Sequence, residues 1–130
     1  FKIKNETKII SWISSFCKKE GFIIDSLVFA FFNDDDLKDL NIRFLNHDFY
    51  TDVISFDESN NIFIKGNIAI SVDRVKDNAC TFSSLFDDEL KRVIIHGVLH
   101  LMGFKDKTDE EKSLIREKED SAIQMFHVKQ

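Results

Sequence analysis

The sequence predicts an α+β fold, a single small domain over residues 1–130 with helices packed on a mixed four-stranded sheet and one helix buried among them. Three observations carry that expectation. Apolar residues recur at helical spacing in several separate stretches; short runs rich in Val, Ile and Phe lie between them; and the element order reads αβαββααα.

Each element has a local cause. Ile9, Ile10, Ile13, Phe16 and Cys17 follow the helical period, Lys18, Lys19 and Glu20 are polar behind them, and Gly21 is a stop, so a first helix is expected from about Glu6 to Glu20. Leu27 to Phe32 is a continuous apolar run, suited to a central strand covered on both faces. Asp34 can cap a second helix reaching Leu45, with Leu37, Leu40 and Phe44 turned inward. After a loop at Asn46 to Tyr50, strands are expected at Val53 to Phe56 and Ile62 to Ile70, joined by a turn at Asn60-Asn61 and paired antiparallel. Ser71 can cap a short helix through Ala79. A fourth helix starts between Ser84 and Asp87, its acidic first turn matching the positive end of the helix dipole; from Val93 to Met102 it is apolar all round and therefore buried. Thr108-Asp109-Glu110-Glu111 reads as a capping box opening a last amphipathic helix that carries Leu114, Ile115, Ile123 and Phe126. Phe1 to Lys4 supplies a fourth, edge strand.

Composition fits one core: 43% of residues are hydrophobic and 14 are phenylalanine. With no proline and only four glycines, no stretch looks like a linker. No apolar run approaches the roughly 20 residues that span a membrane, and the amino end lacks a secretory pattern, so a cytoplasmic protein with no membrane partner is expected. Cys17 and Cys80 have no ligand-like spacing and are expected to be reduced, mostly buried thiols. A formal charge of −5 disfavours general nucleic-acid binding, DNA included, so any RNA contact has to be local. Lys65, Lys91, Arg92, Lys105 and Lys107 are the cations available for such a patch. The acidic run Asp34-Asp35-Asp36 is read as a helix start and not as a metal cluster.

The chemistry concentrates in His96-Gly97-Val98-Leu99-His100-Leu101-Met102-Gly103-Phe104-Lys105-Asp106. Two imidazoles four residues apart share one helix face and can grip one metal ion. Gly103 can take the left-handed conformation that ends a helix, and Asp106 can then swing a carboxylate toward the same ion. Three protein donors leave a fourth position for water, the mark of a catalytic rather than a structural zinc site. The spacing is close to the zinc-protease pattern His-Glu-x-x-His-x-x-Gly-x-x-His. Gly97, however, stands where that pattern has its general base, and Asp106 where it has its third histidine. Two imidazoles and one carboxylate leave a formal charge of +1 on a zinc ion, against +2 for three imidazoles, so bound water should be somewhat less acidic.

These residues resemble the hallmark H-G-x-L-H-L-x-G-[YF]-D-H of the YbeY family of bacterial rRNA-maturation endoribonucleases. Leu40-Asn41-Ile42-Arg43-Phe44-Leu45-Asn46-His47-Asp48-Phe49-Tyr50-Thr51-Asp52-Val53-Ile54-Ser55-Phe56 resembles the family's L-N-x-x-[YF]-R-x-x-D-x-x-T-[DN]-V-L-S-F block, and Lys65-Gly66-Asn67-Ile68-Ala69-Ile70 its G-D-I-x-I strand. Leu45 aligns with the family's arginine, Asn67 with its aspartate, and Lys105 with the aspartate before the third ligand. The resemblance implies a small α+β domain and a metal-dependent, single-strand-specific RNA cleavage acting in rRNA maturation and ribosome quality control. Its partners would be rRNA or single-stranded RNA and the ribosomal small subunit or its assembly factors.

The resulting expectation is one zinc ion held by His96, His100 and Asp106, which act in catalysis through the metal, with Asp52 as an additional catalytic group. Arg43, Ser55, Lys65 and Lys105 are candidates for substrate binding, Arg43 standing in for the arginine replaced by Leu45. Ser55 alternatively closes a backbone hydrogen bond. A noncatalytic ribosome-assembly factor with a metal site and a zinc metallopeptidase are the competing functions, and Gly97 argues against the latter.

Overall fold

The computed structural model describes residues 1–128 and is organised by one sheet of three strands. In chain order the elements are α1 (Glu6–Lys19), β1 (Ile23–Phe32), α2 (Asp34–Leu45), β2 (Val53–Asp57), β3 (Phe63–Ser71), α3 (Val72–Thr81), α4 (Phe86–Leu101) and α5 (Asp109–Val128). The spatial order is β1-β3-β2, with β1 parallel and β2 antiparallel to β3. A parallel pair needs a crossover connection, and the chain from β1 to β3 provides it through α2 and β2.

Two sequence expectations fail here. The apolar run of β1 does not take the centre of the sheet: β1 is an edge strand, Val28 is exposed, and the central place goes to β3. Phe1 to Lys4 forms no strand, so the sheet has three strands and not four. The amino end docks through side chains instead, with the Phe1 ring 4.8 Å from that of Phe31 and 5.9 Å from that of Phe86.

β3 fixes both faces of the sheet by its two-residue alternation. Ile64, Gly66, Ile68 and Ile70 turn toward α4, while Ala69 turns toward α2 and packs with Leu37 and Ile54. The main core joins the α4 side of the sheet to α1 and α5 through Phe16, Ile94, Ile95, Val98, Leu99 and Ile115. Trp12 locks α1 to α5, donating its indole N–H to the Ala122 carbonyl at 2.7 Å and meeting Phe126 edge-on. Phe44, expected inside, is 63% exposed, because α2 buries only a narrow stripe through Leu37 and Asn41.

Local capping differs from expectation at α2. The Asn33 side chain, not that of Asp34, accepts from the Asp36 N–H. Asp34 instead accepts from the Ser71 hydroxyl and from Arg74, tying the start of α2 to the start of α3. The capping box of α5 forms as read: the Glu111 carboxylate accepts from the Thr108 N–H and the Thr108 hydroxyl from the Glu111 N–H. Asn61 takes a left-handed conformation in the β2–β3 turn. Cys17 is buried, and burial, with Glu20 adding to it, pushes its thiol up to about 12; Cys80, expected to be mostly buried, is exposed. Among the described residues no helix is long and apolar enough to cross a membrane.

Gly97 is where α4 presses closest to the sheet. A Cβ there would lie 2.9 Å from Ile68 Cγ2, 3.2 Å from Val53 Cγ2 and 3.3 Å from the Ser55 hydroxyl. Gly97→Val should therefore lower stability by about 3 kcal/mol, read as a reduced urea midpoint with unchanged slope. An unshifted midpoint would contradict this close approach.

Candidate metal centre

Helix α4 sets the donors. His96 and His100 are one turn apart on a flank of the helix, beside the buried face that carries Gly97. After Leu101 the chain closes with the two bonds of a Schellman motif, Gly103 N–H to the His100 carbonyl and Phe104 N–H to the Leu99 carbonyl, with Gly103 at φ +98°. That reversal brings Asp106 back over the histidines. It also aims the Phe104 carbonyl at His100, whose Nδ1 donates to it at 2.9 Å.

His96 Nε2 lies 3.0 Å from His100 Nε2, and each lies 3.4 Å from Asp106 Oδ2. Three donors in a tetrahedron around zinc, with bonds of 2.0–2.1 Å, stand about 3.3 to 3.4 Å apart. The spacing fits. The outer nitrogens are also committed: Nδ1 of His96 donates to Glu119 Oε2 at 2.8 Å, as Nδ1 of His100 does to Phe104. Carboxylate and carbonyl only accept, so both Nδ1 atoms carry the protons and both Nε2 atoms present lone pairs to each other and to Asp106. Three converging lone pairs repel in isolation and are stabilised by a cation. All three side chains stay partly exposed, from 26% for His96 to 43% for Asp106, which leaves a solvent side for a fourth ligand.

The centre sits in a cleft of about 350 Å³ floored by α4 and lined also by the end of α3, the start of β2 and α5. Burial raises the Asp52 carboxyl above its ordinary value, countered by the charge of His96 and by the Asn78 amide, which donates to Asp52 at 3.1 Å. Glu89, buried on the floor, is likewise raised, first by burial and then by neighbouring Asp52 and Glu119 against the pull of Arg92. His96 is raised in spite of burial, because the hydrogen bond and charge of Glu119 outweigh it, with Asp52 and Asp106 adding to the effect.

The sequence-derived candidates divide spatially. His96, His100 and Asp106 converge, and Asp52 lines the same cleft. Lys105 is exposed beside Asp106. The Ser55 hydroxyl donates to the Gly97 carbonyl at 2.9 Å, so it fastens β2 to α4. Lys65 and Asn67 alternate with Gly66 and Ile68 and so stand on the far face of the sheet from α4, and Arg43 is exposed on α2, the helix that packs on that far face. The four lysines and one arginine proposed as a patch do not gather. Lys91 is buried over the Phe126 ring, and Arg92 is held by Glu119 and Asp120 at 2.9 Å each.

Glu119, Glu89 and Asn78 were not among the candidates. Glu119 did leave a signal, since Ile115, Glu119, Ala122 and Phe126 fall on one row of α5 and a carboxylate interrupts an otherwise buried stripe.

Fold and donors together define a small α+β domain in which His96, His100 and Asp106 form a partly exposed group that could hold a metal ion. Comparison with known proteins agrees with that class. A family model described as Endoribonuclease YbeY matches residues 2–127. The Endoribonuclease YbeY of Flavobacterium psychrophilum is 48% identical over 130 residues, covering all of this chain and 93% of that protein, and that of Christiangramia forsetii is 45% identical over the same length, covering 91% of that protein. The solution structure of TM1509 from Thermotoga maritima superposes with a TM-score of 0.66 at 26% identity, covering 96% of this chain and 85% of that one. The chain belongs to the endoribonuclease YbeY family.

Because Glu119 holds the His96 ring and its tautomer, Glu119→Gln should weaken zinc binding on the order of 10- to 100-fold in competition with a chromophoric chelator. An unchanged affinity would remove Glu119 from the centre.

Proposed function

We propose that this protein is a zinc-dependent endoribonuclease that cuts single-stranded RNA in the cytoplasm during rRNA maturation and ribosome quality control, acting on the small subunit or its assembly intermediates. The observation that carries the reading is the convergence of His96 Nε2, His100 Nε2 and Asp106 Oδ2 with both outer nitrogens already bonded, in a chain of this family.

Zinc bound by these three residues would supply Lewis acidity to a water or phosphoryl oxygen and offset charge developing on the phosphate. The protein residues have separable tasks. Glu119 and the Phe104 carbonyl hold the two imidazoles in the tautomer that leaves Nε2 free to ligate. Asp52, raised by its burial and anchored through one oxygen by Asn78, lines the cleft and would take the proton of the attacking water or 2′-hydroxyl. Lys105, exposed next to Asp106, is a cation able to approach the RNA backbone.

Peptidase chemistry needs a glutamate at position 97, and the sheet contact there admits not even a Cβ without displacement. The nuclease reading predicts that purified protein cleaves single-stranded rRNA fragments, that chelation stops cleavage and zinc restores it. It also predicts that His100→Ala loses at least about 100-fold in rate, as expected for losing a metal ligand, while casein stays intact. Intact RNA in every zinc-loaded sample would favour an assembly factor without turnover.

A further inference from the structure

We propose that Phe82, on the α3 wall of the cleft, and Lys112 with Arg116, on the α5 wall, form a subsite that stacks one unpaired base and holds the adjoining phosphate, making the cleft selective for single strands. The inference rests on the nuclease reading and extends it to residues outside the metal centre.

Phe82 follows the last turn of α3 and is 63% exposed, yet it lines the same cleft as His96 and Asp106. A phenyl ring left in water at the edge of a polar cleft offers an apolar face. Base stacking on an aromatic ring contributes substantially to single-strand binding and tolerates any sequence. A paired base keeps its faces against its neighbours in the duplex, so such a platform discriminates against double strands.

The second wall is cationic. Lys112, Arg116 and Glu119 lie at successive one-turn intervals on the cleft side of α5, with Ile115 between them. Glu119 is taken up by His96 and Arg92. Arg116 reaches it only at 3.6 Å with a side chain 68% exposed, and Lys112 is exposed and makes no ion pair or side-chain hydrogen bond among the described residues. Both cations are therefore available to phosphate, unlike Arg92. α3 and α5 each pack on α4, and the ring and the cations line the same cleft from these two helices.

Charge links this subsite to the centre. Asp52, Glu89, Asp106 and Glu119 against Arg92, Lys112 and Arg116 leave the cleft one unit negative when all are ionised, and a divalent ion makes it one unit positive. Strong phosphate binding then requires a loaded centre in a protein whose overall charge is −5.

The test uses the full chain and a fluorescein-labelled 2′-O-methyl RNA of about ten nucleotides, within the span single-strand sites cover, read by anisotropy with zinc and with chelator. Phe82→Ala should weaken single-strand binding roughly tenfold and erase the preference over a hairpin, with Phe82→Trp restoring both. Lys112→Ala and Arg116→Ala should each lower the salt slope by about one unit. In cleavage assays all three alanine variants should raise KM and leave kcat within about threefold, with zinc content and melting temperature unchanged. Wild-type affinity and KM in all three variants, alongside normal wild-type cleavage, would overturn the subsite and leave the nuclease reading standing. Wild-type protein that neither binds nor cuts RNA when zinc-loaded would overturn both.

Discussion

The contact of Gly97 with Val53, Ser55 and Ile68 is the constraint on which the rest depends, because it fixes how α4 is rotated on the sheet. With about 100° per residue, facing Gly97 to the sheet places His96 about 100° and His100 about 60° off that direction, on the same side. Glu89, Arg92 and Val93 fall on that flank too, and all three line the cleft. The Ser55 hydroxyl on the Gly97 carbonyl reinforces the rotation. One missing side chain thus both leaves out the protease general base and turns the flank that carries His96 toward the cleft. It is a packing requirement with a chemical consequence.

Around that contact the centre is built in layers of decreasing locality. The imidazoles come from helical spacing, Asp106 from the reversal at Gly103, and the ring orientation from a carbonyl four residues away and a carboxylate twenty-three residues away. Glu119 does double duty, since it also holds Arg92, whose second nitrogen is bound by Asp120. α5 is therefore required by the site as much as by the core, where Trp12 and Ile115 anchor it.

What the sequence revealed follows the same gradient. The helices, the Asn60-Asn61 turn, the α5 capping box, the end of α4 at Gly103 and the convergence of His96, His100 and Asp106 were readable because each is set by residues within a turn or two. The edge position of β1 was not, since a run such as Leu27 to Phe32 looks alike at the centre of a sheet or at an edge partly covered by α1 and α3; the pairing partner decides. Phe1 packs as a side chain on Phe31 and not as a strand, and Phe44 turns outward where helical spacing pointed it inward, both consequences of tertiary geometry. The scattering of the predicted basic patch has the same origin. Lys65 and Lys91 are near the motif in a linear reading, yet strand alternation sends one to the far face and helix rotation buries the other.

The central claim is a metal centre with three protein donors and one open position. X-ray absorption at the zinc edge on the loaded protein tests it most directly: the account predicts four light-atom neighbours at about 2.0–2.1 Å, two of them imidazoles and no sulfur, with one oxygen replaced when a phosphate-mimicking anion is added. A sulfur neighbour, or a first shell that no added anion perturbs, would contradict it.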